Sequence, residues 1–258
     1  MCMTGFLDAT TAAVWLSSPA GQAALARFPY DGLLVDLDDT LLDTRSRFVA
    51  SRQASAMALA RLDRNGYSRE ELTAIQRAVS DALLPNLGLS NGRWRTATVL
   101  AGQVLAGREL GREERAALLA AAEIAFQPGL PLPGAVETVR ACRAAGLPLV
   151  LWTQGEPHVQ TAKHAANGLG ALFDAVEIVP WKTAPMLRCV AAVHGFARPL
   201  VIGDSPHGDI APALAAGIAA ILVQGGVRWP FDDDAQAAAA VPQAASFAQA
   251  VALAATSV

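Results

Sequence analysis

Residues 31–44 read DGLLVDLDDTLLDT, a short apolar run that leads directly into a group of carboxylates. The run at 33–35 is bounded by Gly32 and shows no polar alternation, a pattern typical of a strand buried on both faces of a parallel sheet. Asp36 and Asp38 therefore follow the end of a buried strand. In open α/β sheets ligands bind beyond the carboxyl ends of the strands, so this stretch is also the first candidate for a functional site.

The sequence after this stretch changes character twice. Residues 46–126 have helical periodicity and turn signals but no strand pattern, which predicts an all-helical insert directly after the first strand. From residue 134 onward, helical patterns alternate with short apolar runs. Such alternation is typical of βαβ units, and right-handed crossovers then favour a Rossmann-like, doubly wound parallel α/β sheet. The strands expected after the first one are 147–153, 175–179, 200–203 and 219–223.

The composition limits the classes of protein to which the chain can belong. Of its 258 residues 53% are hydrophobic, which excludes an intrinsically disordered protein. The formal net charge is −3, so the overall charge does not favour binding to nucleic acid. No apolar run reaches the roughly 20 residues that cross a bilayer. The apolar N-terminal stretch lacks the positive charges of a secretory signal.

The cysteines point to a reducing compartment. Cys2, Cys142 and Cys189 follow no zinc or disulfide spacing, as expected for free thiols in the cytoplasm. We therefore expect a cytoplasmic protein with no nucleic-acid and no membrane partner. No pattern predicts the oligomeric state, or a role for segment 1–30 or for the acidic cluster Asp232–Asp234.

Polar residues stand at the ends of the first four predicted strands. Because the carboxyl ends of parallel strands meet at one edge of a sheet, we expect these side chains to converge on a single crevice. In chain order they are Asp36, Asp38, Thr153, Gln154, Lys182, Asp204 and Asp209.

The four aspartates of this set would repel one another unless a cation lay between them. Oxygen ligands favour a hard divalent ion, and Mg²⁺ is the obvious choice because it keeps several waters and leaves room for a substrate phosphate. Lys182 and Thr153 add a positive charge and a hydroxyl donor, which suit the oxygens of a phosphoryl group. The sequence therefore predicts a magnesium site that receives a phosphorylated ligand.

Four motifs of the chain resemble those of the haloacid dehalogenase-like hydrolase superfamily. In that family an apolar strand leads into Asp-x-Asp-x-Thr, a Thr or Ser closes the next strand, a Lys follows, and a Gly-Asp-Ser element carries a second Asp shortly after it. The matching positions here are Asp36-Leu37-Asp38-Asp39-Thr40, then Thr153, then Lys182 with Pro185, and finally Gly203-Asp204-Ser205 with Asp209. The resemblance covers about residues 31–225.

The resemblance implies a role for each aspartate. Asp36 would be the nucleophile that forms an aspartyl-phosphate, and Asp38 would protonate the leaving oxygen and then deprotonate the attacking water. Mg²⁺ would be held by Asp36, by the backbone carbonyl of Asp38 and by Asp204. Asp209 would act through a bound water or orient another ligand.

The resemblance also implies roles outside the aspartates. Thr153 and Lys182 would hold the phosphoryl oxygens, with Gln154 as a further candidate for that contact. The predicted domains are an α/β core, 1–45 with 128–258, and an inserted helical cap, 46–127. In such a cap we expect residues that select the substrate, and the candidates are Arg45, Arg47, Asn91 and Arg93.

Asp38 decides the expected reaction. Family members that remove halide lack an aspartate at this position, so its presence favours cleavage of a phosphate ester. We expect a Mg²⁺-dependent phosphatase acting on a small phosphorylated metabolite. A phosphomutase and a non-catalytic binding protein on the same fold are the alternatives. The insert 46–126 contains no lysine, which speaks against a phosphonate hydrolase.

Overall fold

The computed structural model describes residues 8–88, 90–224 and 234–256. The chain forms two compact units. The core unit comprises Met1–Asp43 with Leu130–Val258, and the helical unit comprises Thr44–Gly129. Of the positions discussed above, Cys2, Asp232 and Asp233 lie outside the described residues.

The described residues form helices in both units. These helices are α1 (Ala9–Ser17), α2 (Pro19–Leu25), α3 (Arg45–Ala60), α4 (Arg69–Leu87), α5 (Asn91–Ala106), α6 (Arg112–Glu123), α7 (Ala135–Ala144), α8 (Pro157–Ala166), α9 (Ala184–Val193), α10 (Ala211–Ala216), α11 (Ala235–Ala239) and α12 (Phe247–Thr256). None of these helices combines the length and the hydrophobicity that crossing a bilayer requires.

The core unit contains a parallel sheet, which in the described residues has the strand order β3-β2-β1-β4-β5-β6. The strands are β1 (Gly32–Val35), β2 (Leu149–Gln154), β3 (Ala175–Val179), β4 (Pro199–Gly203), β5 (Ala219–Val223) and β6 (Gln243–Ala244). The predicted doubly wound α/β fold is confirmed. The sequence did not predict β6, because two residues are too few to form a hydrophobic pattern.

The sheet has a hydrophobic layer on each face. Leu33 and Val35 belong to one buried cluster with residues of α7 and α12, whereas Leu34 belongs to a second cluster with residues of α9 and α10. Neighbouring strand residues point to opposite faces, so both faces need apolar side chains. This explains the uninterrupted apolar run that predicted β1, whose side chains at 33–35 are fully buried.

The N-terminal helices belong to the core unit. The Asp8 side chain accepts the Thr11 N–H at 2.7 Å and caps α1, and Pro19 begins α2, where a missing N–H costs nothing. Leu16 and Leu25 are buried in the same cluster as Leu33. Segment 8–30, for which the sequence predicts no role, therefore covers part of one face of the sheet.

The helical unit is built from α3 to α6. Its apolar centre includes Leu59, Leu72, Leu105 and Leu118. A capping box begins α4: the Ser68 N–H donates to Glu71 Oε2 at 2.7 Å, and the Glu71 N–H donates to Ser68 Oγ at 3.2 Å.

Candidate active site

The strand order places the site at the carboxyl edge of the sheet. Strand β1 lies between β2 and β4, so the residues that follow these three strands are neighbours. Asp36 follows β1, and its N–H donates to the Ile202 carbonyl of β4 at 2.9 Å. Thr153 and Gln154 end β2, and Asp204 directly follows β4. The sheet thus brings most of the predicted site residues together.

A tight loop after β1 carries Asp38. The N–H groups of Leu41 and Leu42 both donate to the Leu37 carbonyl at 3.0 Å, and the Asp39 N–H donates to the Leu42 carbonyl at 2.8 Å. Asp39 has φ 57°, a left-handed conformation that Asp tolerates better than most residues. The loop therefore turns back immediately after Asp38 and keeps its side chain close to the end of β1.

Lys182 connects two of the buried carboxylates. Its Nζ lies 2.5 Å from Asp36 Oδ1 and 2.6 Å from Asp209 Oδ1, and all three side chains are buried or nearly so. Burial opposes the charge on Lys182, but Asp209 and Asp36 outweigh it and raise the pKa of the ammonium group. At neutral pH the site thus contains a permanent positive charge beside the predicted nucleophile.

The environment of Asp36 favours its protonated form while no metal is bound. Burial raises the pKa of Asp36 to about 7; Lys182 opposes this shift, and the charges of Asp209 and Asp38 add to it. A carboxylate that is costly to ionise because it is buried and lies near other carboxylates gains from a cation beside it.

Three of the carboxylates form a group suited to a metal ion. One oxygen each from Asp36, Asp204 and Asp209 lies within 4.8 Å of the others. With Asp38 these aspartates carry four formal negative charges, and two lysines at the site carry two positive ones. A divalent cation would balance the two negative charges that remain. The ligands are all oxygens, which fits a hard ion, and the chain therefore has a site that could hold Mg²⁺.

The glycine before Asp204 makes room for Asp209. A Cβ added at Gly203 would lie 2.3 Å from Asp209 Cγ, far inside van der Waals contact. Asp209 itself sits in a single π-helical turn, Pro206–Ile210, and its Oδ2 accepts the Ser205 N–H at 3.0 Å. Turns of this kind often occur at functional sites. The Gly-Asp-Ser motif thus includes a glycine for steric reasons.

This contact gives a first prediction. Gly203→Ala is expected to push Asp209 away from Asp36 and to lower the affinity for Mg²⁺ by roughly 10- to 100-fold. The affinity is measured by isothermal titration calorimetry. Gly92→Ala is the control, since a Cβ there meets only Ser90 Oγ at 3.7 Å. Unchanged affinity in Gly203→Ala would show that Asp209 does not contribute to metal binding.

Two residues of α8 complete the site and were not predicted. Lys163 Nζ lies 2.8 Å from Asp38 Oδ1 and 3.0 Å from its Oδ2, and Gln160 Nε2 donates to Asp38 Oδ2 at 2.8 Å. Both side chains are buried. One signal could have found them: the sequence contains only two lysines, Lys163 and Lys182, against eighteen arginines, and both lie here.

The predicted phosphate-binding residues are already engaged with neighbours. Thr153 is fully buried and its Oγ1 accepts from Gln160 Nε2 at 2.6 Å. The Gln154 side chain accepts the Lys182 N–H at 2.9 Å and so fixes the loop after β3 against the end of β2. The phosphate contacts of Thr153, Gln154 and Lys182 stay predictions.

The four predicted substrate-selecting residues lie in the helical unit. Arg45 and Arg47 are partly exposed at the start of α3, and Asn91 is buried at the start of α5. Arg93 is also buried, and its guanidinium donates to the carbonyl and the hydroxyl of Ser80 at 3.1 and 2.7 Å. These bonds hold α5 to α4. Substrate contact by any of the four stays a prediction.

The fold and the site together define a hydrolase class. The chain belongs to the haloacid dehalogenase-like hydrolases, whose family model matches residues 30–217. It is therefore an enzyme. Its candidate active site contains Asp36 and Asp38, with Asp204 and Asp209, at the carboxyl edge of the sheet.

Individual relatives agree with this assignment. Phosphoserine phosphatase from Thermus thermophilus is 35% identical over 48% of this chain, and the match spans about half (53%) of that protein. Phosphoglycolate phosphatase from Caulobacter vibrioides is 29% identical over 74% of this chain and 78% of its own length. A haloacid dehalogenase-like family hydrolase from Xanthomonas campestris superposes with a TM-score of 0.67 at 21% identity, covering 87% of this chain and 94% of that one.

Proposed function

We propose that this chain is a Mg²⁺-dependent phosphatase that hydrolyses a small phosphomonoester through an aspartyl-phosphate on Asp36. The observation that carries the proposal is the placement of Asp38 on the loop that begins at Asp36, beside the Asp36–Asp204–Asp209 group. An acid next to a nucleophilic carboxylate is what cleavage of an ester with a poor leaving group requires. Two curated relatives are named as phosphatases.

The reaction has two halves. An oxygen of Asp36 attacks phosphorus, the bond from phosphorus to the ester oxygen breaks, and Asp38, which enters this half protonated, gives that oxygen its proton. Asp38 then takes a proton from water, whose oxygen attacks the phosphorus of the aspartyl-phosphate. Inorganic phosphate leaves, and Asp36 is restored.

The remaining residues supply charge and position. Asp36, Asp204 and Asp209, with the backbone carbonyl of Asp38, would hold Mg²⁺, which when bound neutralises charge on the phosphoryl oxygens. Lys182 offsets the charge of Asp36, which allows an anionic phosphate to approach. Thr153 and Gln154 are proposed to donate to the phosphoryl oxygens.

The helical unit is proposed to act as the substrate-selecting cap, with Arg45, Arg47, Asn91 and Arg93 as the residues to vary first. The substrate class is a small phosphorylated metabolite, which agrees with the names of the two phosphatase relatives. A cytoplasmic location, with no nucleic-acid and no membrane partner, completes the proposal.

The experiment that tests the function measures phosphate release from p-nitrophenyl phosphate. Release is expected with Mg²⁺ and is expected to fall at least about 100-fold when EDTA removes the metal, because the two lysines balance only half of the four carboxylate charges that then face the anionic substrate. Re-addition of Mg²⁺ is the control and should restore the rate. Metal-independent release would contradict the proposed mechanism. No release, with Mg²⁺ binding intact, would favour a binding protein on this fold.

A further inference from the structure

We infer that Lys163 is a positioning residue of the reaction, which acts by holding the carboxylate of Asp38 together with Gln160. This inference rests on the proposed phosphatase function. Helix α8 makes three contacts with Asp38: Lys163 Nζ lies close to both of its oxygens, and Gln160 Nε2 donates to Oδ2. A carboxyl group that is contacted at both oxygens has a defined plane, so these contacts orient Asp38 for the proposed proton transfers.

The position of Lys163 and Gln160 on α8 makes this arrangement possible. The two residues are three apart, so their side chains lie on one face of the helix. That face points into the site, since only 5% of Lys163 and 2% of Gln160 is exposed. Burying an ammonium group is costly unless an opposite charge pairs with it, and Asp38 supplies that charge at 2.8 Å.

Gln160 extends the contact to the end of β2. Its Nε2 also lies 2.6 Å from Thr153 Oγ1 and 3.1 Å from the Gln154 carbonyl. Gly155 leaves the space that this side chain fills: a Cβ at Gly155 would lie 3.1 Å from Gln160 Cγ, and its φ of +148° disfavours other residues. The position of Asp38 is thus coupled to the strand end that carries Thr153.

The two lysines pair with different aspartates of the site. Lys182 pairs with Asp36 and Asp209, whereas Lys163 pairs with Asp38. Separate cations keep the predicted acid apart from the predicted nucleophile, although the two carboxylates are only two residues apart. Without Lys163, Asp38 would lose the positive charge that pairs with both of its oxygens, and its carboxyl group would be held less firmly. A misplacement of about 1 Å is enough to cost roughly 100-fold in rate.

The kinetic test compares two leaving groups. Phenyl phosphate needs a proton from Asp38 as it is cleaved, whereas p-nitrophenyl phosphate needs it far less. Lys163→Met is expected to lower kcat about 100-fold for phenyl phosphate but less than about 10-fold for p-nitrophenyl phosphate. Lys163→Arg should restore most of the lost kcat, since its guanidinium can pair with both carboxylate oxygens.

Thr161→Ala, on the exposed face of α8, is the control. Equal losses for both substrates, or no loss, would overturn the inference.

A spectroscopic test needs neither activity nor metal, and so separates this inference from the proposed function. Protein grown with ¹³C-lysine should show two Cε–Hε signals, because the chain has two lysines. In EDTA, Asp38→Asn is expected to shift one of them, and Lys163→Arg should remove that same signal. If Asp38→Asn shifts neither signal, the contact is absent in solution and the inference is wrong. If it shifts one while wild type cleaves neither phosphate, the contact stands and the function fails.

Discussion

Asp36→Asn is expected to abolish phosphate release and, in the absence of metal, to stabilise the protein at pH 8. The loss of activity should be at least about 1,000-fold, because the amide cannot form the aspartyl-phosphate. The gain in stability follows from charge: Asp36, Asp209 and Lys182 form a buried group with a net charge of −1, and the substitution leaves a neutral pair. Residues that an active site needs for its function often lower the stability of the folded protein.

The pH dependence of stability follows from the same carboxylate. The pKa of Asp36 is 3.8 in a model compound and about 7 in the metal-free fold. The folded state therefore binds more protons than the unfolded state between these values, and stability falls as pH rises from about 4 to about 7. In Asp36→Asn this contribution disappears, so its stability should change less over that range.

Thermal unfolding in EDTA at pH 5 and pH 8 measures both effects. Asp36→Asn should have a Tm several degrees above wild type at pH 8 and close to wild type at pH 5. Asp81→Asn is the matched control, because Asp81 is an exposed carboxylate on α4. A lower Tm for Asp36→Asn at pH 8 would contradict the view that burial of Asp36, together with the charges of Asp209 and Asp38, outweighs the Asp36–Lys182 attraction.

Lys182→Met is expected to destabilise the protein strongly. The substitution leaves Asp36 and Asp209 buried without the ammonium group that now lies within 2.6 Å of both. Removing one partner from a buried charge group typically costs roughly 3–5 kcal/mol, which corresponds to a fall in Tm on the order of 10 °C. Phosphate release should fall by about 1,000-fold or more, because the charge beside the nucleophile is lost.

Mg²⁺ should partly reverse this loss of stability. A divalent cation at Asp36, Asp204 and Asp209 replaces the missing positive charge, so the rise in Tm on adding Mg²⁺ should be larger in Lys182→Met than in wild type. Lys182→Arg, which keeps the charge, is the control and should resemble wild type in its response. A Tm that does not respond to Mg²⁺ in any of these proteins would argue against a metal site.

The sheet and most of the site were predictable because strong local signals coincide there. The apolar run at 33–35 must be buried on both faces of a sheet, and the carboxylates after it must then lie at the sheet edge. The same reasoning predicted Thr153 and Asp204 at this edge, since the carboxyl ends of parallel strands lie at one edge of a sheet. A short apolar run followed by polar residues therefore carries information on both the fold and the site.

The contribution of α8 was not predictable in the same way. Gln160 and Lys163 are polar residues on a short helix, and polar helical residues are usually solvent-exposed. Which face of α8 turns toward Asp38 depends on how the helix packs on the sheet, and local periodicity does not encode that. The buried bond between Arg93 and Ser80 depends in the same way on the packing of α5 against α4.

The use of lysine in this chain has a consequence for its chemistry. Surface cations are supplied by arginine, and both lysines are buried against aspartates of the site. Every peptide bond that a lysine-specific protease recognises, and every side-chain amine that an acylating reagent could modify, therefore lies at the active site. In this chain, cleavage after lysine and acylation of lysine would therefore detect the opening of the active-site region. Neither reaction would detect changes elsewhere on the surface.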